Sequence, residues 1–90
     1  MIRYNYIVYK PNPNIDGEPY LFVKSTLSRK DAIDSCPDNA GYYISVSKED
    51  CHYESDEYGK YLSCDCILSG CLEPEELLKT KNIDSLLYRV

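Results

Sequence analysis

Polar and apolar positions alternate with a period of two through Ile2–Lys10 (IRYNYIVYK), as a strand requires. Ile2, Tyr4, Tyr6 and Val8 fall on one face; Arg3, Asn5, Ile7 and Tyr9 fall on the other. Both faces carry aromatic or β-branched residues, which predicts a strand that is central or covered on both sides. Residues 11–19 (PNPNIDGEP) break the pattern, because three prolines remove amide donors and Asp-Gly favours a turn. Tyr20–Lys24 (YLFVK) reads as a short, largely buried second strand, paired with the first across this long loop.

Ser28 followed by Asp31 predicts a helix start, running to about Cys36 and stopped by Pro37 and the polar DNAG after it. Ala32, Ile33 and Cys36 form its narrow core face, so Cys36 reads as a small buried apolar residue. Tyr42–Ser47 is the third strand and Tyr61–Leu68 the fourth, ended by Ser69-Gly70. On the fourth, Leu62, Cys64, Cys66 and Leu68 are expected on one core face. Between these strands the pattern dissolves into an acidic connector, residues 48–60. Glu73-Pro74-Glu75-Glu76 opens a second helix, with Pro in the first turn and acids at its positive end. Leu77 and Leu78 are its expected buried side, and Ile83–Val90 closes the chain as a helical turn or edge strand.

The element order β-β-α-β-β-α, with room for a final strand, gives one small α+β domain over residues 1–90. An antiparallel sheet of four or five strands should carry one or two short helices on one face. At 90 residues the chain buries only about 60–65% of its unfolded surface.

Composition changes the picture in two ways. Fifteen acids against ten bases give −5, which disfavours nucleic acid as a direct partner and favours a basic protein surface. Ten Tyr, one Phe and no Trp suit surfaces buried on one side and wet on the other, and Tyr is enriched at interfaces. No run approaches the ~20 apolar residues of a membrane span, and the N-terminus has no apolar h-region. A cytoplasmic chain is therefore expected, and with it free rather than bridged cysteines.

Five cysteines and His52 invite a zinc reading, but Cys64-Asp65-Cys66 is C-x-C inside a strand, not a knuckle. The one histidine lies among carboxylates, and no HExxH, GxSxG or glycine-rich phosphate loop is present. No catalytic residue, cofactor or metal is assigned. The best candidate site is the acidic connector with its tyrosines: Glu49, Asp50, Tyr53, Glu54, Asp56, Glu57, Tyr58 and Tyr61. The expected function is a non-catalytic interaction protein, a small stoichiometric inhibitor or regulator that occupies a basic surface of a macromolecular partner. The alternatives are a small-molecule or nucleotide-binding module, able to act as a homodimer, with Tyr rings on a base and Arg3, Lys24 or Arg29 on phosphate. A zinc-stabilised structural module is third.

Overall fold

The computed structural model describes residues 1–14, 16–37 and 41–90; residue 15 of the first loop and residues 38–40 of the helix terminator lie outside that description. Five strands form one antiparallel sheet in the order β2-β1-β3-β4-β5. They are β1 (Ile2–Pro11), β2 (Tyr20–Thr26), β3 (Tyr43–Asp56), β4 (Gly59–Leu72) and β5 (Tyr88–Arg89). Two helices, α1 (Arg29–Asp34) and α2 (Pro74–Lys79), and a 3-10 turn at Ile83–Leu86 complete the chain. The expected α+β architecture is the one observed, with β1 paired to β2 on one side and β3 on the other. β2, expected to be largely buried, is instead mostly exposed, Phe22 at 62%, because it lies at the edge of the sheet.

The core lies on one face of the sheet. Tyr6, Val8, Ile44, Val46 and Leu72 supply the strand side; Ala32, Cys36, Leu77, Ile83 and Leu87 supply the cover. Cys36 is buried as expected, and that burial pushes its thiol pKa up. Leu78, expected beside Leu77, is instead 61% exposed, because a six-residue helix can turn only one stripe inward.

Arg29 of α1 donates from Nη2 to the carbonyls of Leu77 and of Thr80, the latter at 2.6 Å, closing the end of α2. At the other end of α2, the Glu76 carboxylate accepts from the Glu73 backbone N–H at 3.1 Å. Short helices satisfy little of their own backbone, so these contacts matter more here than helix propensity.

Two expectations for β4 are corrected. The strand does not end at Ser69-Gly70 but runs to Leu72. Gly70 is there for close approach: a Cβ would come within 3.1 Å of Leu87 Cδ2 and 3.2 Å of the Leu86 carbonyl oxygen. Nor do Leu62, Cys64, Cys66 and Leu68 share one core face. Lys48 pairs with Leu68 but Glu49 pairs with Cys66, so Ile67 is an extra, bulged residue. A one-residue slip reverses the facing of everything beyond it. Leu68 packs against the core, whereas Cys66 is exposed.

Candidate functional site

The acidic stretch between the third and fourth predicted strands is not a loose connector. Strand pairing continues from Glu49↔Cys66 to Asp56↔Gly59, so residues 48–60 build the end of a β-hairpin. A two-residue turn, Glu57-Tyr58, closes it, followed by Gly59 at φ +124°. The signal was present in sequence: positions 48, 50, 52, 54 and 56 are all charged or imidazole, while Cys51 and Tyr53 alternate with them. Density of charge hid a period of two. Beyond the reach of β1, whose pairing stops at Ile2↔Asp50, the hairpin stands clear of the sheet as an arm.

A disulfide staples the arm at its root. Cys51 and Cys64 are directly opposite in the ladder, with Cα atoms 4.1 Å apart, as in the close pairs of an antiparallel sheet. This corrects the expectation of five free thiols; Cys36, Cys66 and Cys71 remain free. Cys51 is also held by a hydrogen bond from its N–H to the Met1 carbonyl at 2.7 Å. The disulfide leaves no thiol beside His52 and takes two of the five cysteines that a metal would need. No group of three or more metal-capable side chains gathers among the described residues.

The eight candidate residues divide by position. Glu49 and Asp50 lie at the root and are not brought to the arm's outer part. Glu49 accepts from Arg3 Nε at 3.2 Å, and Asp50 lies 3.3 Å from the Met1 nitrogen. The other six line the arm. Tyr53 pairs across from Leu62, and Lys60 Nζ sits 4.7 Å from the Tyr53 ring centroid.

On the opposite face the Glu54 carboxylate accepts from Tyr61 Oη and from His52 Nε2, each at 2.7 Å. The Tyr61 hydroxyl first, and His52 second, hold the Glu54 carboxyl below the ordinary range; the same bond pushes the Tyr61 phenol up. At the tip, Asp56 Oδ1 accepts from the Tyr58 N–H at 2.8 Å, fixing the turn. Tyr58 itself is 89% exposed, the most exposed large hydrophobic residue among those described.

The arm can therefore present a fixed row of carboxylates and one bare aromatic tip.

Sequence reasoning missed a second gathering of side chains, at the other end of the sheet. Tyr43 stacks on Tyr9 (centroids 4.8 Å, 15°) and meets Tyr20 edge-on (4.6 Å, 89°), while Phe22 meets Tyr9 edge-on (6.4 Å). Register explains the cluster, since Tyr9 is opposite both Phe22 and Tyr43. A second bulge, which skips Val23 between Val8 and Tyr9, brings Phe22 rather than Val23 into line. Two of the three cations proposed for phosphate are occupied elsewhere, Arg3 by Glu49 and Arg29 by α2.

No helix among the described residues is long and apolar enough to cross a membrane. Comparison with protein-family models, with curated proteins and with solved structures finds no match to this chain.

Proposed function

We propose that the chain is a non-catalytic interaction module, a small inhibitor or regulator that places the tip of its β3–β4 arm in a basic groove of a protein partner. The observation that carries this reading is the arm itself: a disulfide-stapled hairpin bearing Glu54, Asp56 and Glu57 around the exposed ring of Tyr58. Preformed strands lose little entropy on docking, and a rigid aromatic supplies contact area with few rotatable bonds. Carboxylates at the rim steer association toward a basic surface and set its orientation.

Glu49 and Asp50 act on this reading as root residues, so the informative variant leaves them alone. It combines Glu54→Gln, Asp56→Asn, Glu57→Gln and Tyr58→Ala in one chain. Wild type and variant are used side by side as baits, and recovered partners are then titrated. Loss of a central aromatic anchor typically weakens binding at least ten-fold. The expected result is a partner bound by the wild type, released by salt, and weakened by that factor or more in the variant. Equal affinity for every recovered partner removes the arm as the interface.

A further inference from the structure

β2 is an edge strand left open. Among the described residues it pairs with β1 alone, and every position from Tyr20 to Ser25 is exposed. An open edge presents a row of unpaired backbone N–H and C=O groups, so what it selects is another extended strand. Native edges are commonly blunted by shortness, proline or charge. The opposite edge of this sheet is blunted in that way, since β5 is two residues long and one of them is Arg89. The arm's outer edges, open among the described residues, carry His52, Glu54 and Asp56 on β3 and Lys60 and Asp65 on β4. β2 differs: seven residues, no proline, one charge at Lys24, and an unbroken apolar run from Tyr20 to Val23.

We propose that β2 is the interface of a homodimer, pairing antiparallel with β2 of a second copy about a two-fold axis perpendicular to the sheet near Val23. A strand that pairs with its own copy is self-complementary about its midpoint, and Val23 is the midpoint of Tyr20–Thr26. Charge favours this meeting place. The chain carries −5, so copies repel in general, but residues 19–27 hold Lys24 as their single charge. Direction follows from the arm, which carries its acids beyond the Ile2 end of β1. Antiparallel pairing sends the two arms to opposite ends of the dimer, whereas parallel pairing would set them side by side. Because the remaining edges are short or charged, assembly stops at two copies and does not continue as a filament. The surface lies outside the arm and stands whether or not the arm docks a partner.

The opposing feature is the bulge at Val23, which bends the strand locally. A seven-residue strand is also only about 23 Å long. Both features place the interface in the small, weak class, in reversible exchange with the monomer.

The test uses the full chain with the exposed thiols Cys66 and Cys71 blocked by iodoacetamide, so that covalent dimers do not enter. Sedimentation velocity from micromolar to millimolar concentration is expected to show a reversible monomer–dimer equilibrium. Val23→Lys sets two like charges face to face across the axis and is expected to weaken the dimer about ten-fold or more, with amide shifts away from β2 unchanged. If that variant fails to fold, the wild type still decides. In a mixture of isotope-labelled and unlabelled chains, intermolecular NOEs are expected between the β2 residues of the two copies. A chain that stays monomeric at millimolar concentration overturns the proposal, as does a dimer whose intermolecular NOEs lie on the arm or the helices. A folded Val23→Lys chain that dimerises at full strength overturns it too.

Discussion

Asp84 ties the 3-10 turn to two strands at once. Its Oδ1 accepts from Tyr4 Oη at 2.5 Å and its Oδ2 from Lys48 Nζ, while Lys48 also stands over the Tyr4 ring at 5.8 Å. Tyr4 belongs to β1 and Lys48 to β3, and their pairing across the ladder presents both to the same carboxylate. The Lys48 ammonium first, and the Tyr4 hydroxyl second, hold the Asp84 carboxyl below the ordinary range. Its protons are therefore bound more readily in the unfolded chain. The stabilisation is fully present above the unfolded aspartate value of about 3.9 and is lost as pH falls through the depressed folded value. Thermal melts from pH 7 to pH 2 are expected to show the wild-type midpoint dropping through that window. Asp84→Asn should start lower at pH 7 and fall less steeply below about pH 4. Parallel curves for the two proteins would rule out this role for Asp84.

At the scale of elements, the β3–β4 arm carries both the candidate function and a weakness. Past Asp50 it has no third strand beside it, and isolated two-stranded hairpins are marginal in water. The Cys51–Cys64 staple compensates, closing a chain separation of 13 residues, which the chain-entropy model values at about 3 kcal/mol or less. Reduction, or a Cys51→Ser/Cys64→Ser chain, is expected to speed amide exchange across residues 52–63 while Val8, Ile44 and Val46 stay protected. Uniform loss of protection would mean that arm and core unfold as one unit.

Much of the element order was readable beforehand because β1, β2, the start of β3 and both helices carry clean local signals. Ser28 accepts from the Asp31 N–H at 3.2 Å, as its spacing implied. The arm was misread because its strand character rests on pairing with β4, a non-local gain that outweighs the poor strand propensity of Asp and Glu. The facing of Cys64 and Cys66 was misread because bulges such as that at Ile67 leave no mark in a single sequence. The Cys51–Cys64 pairing depends on that same register. The aromatic cluster was hidden for a related reason: Tyr9, Tyr20, Phe22 and Tyr43 lie on three strands and meet only through sheet order.

On the scale of the whole molecule, the arm makes the chain long for its size, with extents of 47 × 33 × 23 Å and a Cα radius of gyration of 15.1 Å. A compact chain of this length would have about 12 Å. The tyrosines spread along that long axis; the pKa of Tyr61 on the arm is raised by its bond to Glu54, and three in the sheet are raised as well. Tyr6 is held above its ordinary pKa mainly by burial, partly offset by Arg29, and Tyr4 mainly by its bond to Asp84. Tyr43 is raised by burial first, then by the negative charge that Cys71, Tyr9 and Tyr20 would carry.

Each of these groups keeps its proton more firmly folded than unfolded. Stability from them is complete below the unfolded tyrosine value of about 10 and disappears as pH climbs through the raised folded values. Tyrosinate absorbance should accordingly keep rising well past pH 10 in the native protein, and collapse toward a single step near 10 in denaturant. Tyr4→Phe keeps the ring and removes the phenol, so it should delete part of the late rise and make stability less sensitive to alkali. Alkaline sensitivity left intact in Tyr4→Phe would remove the Tyr4–Asp84 bond as its source.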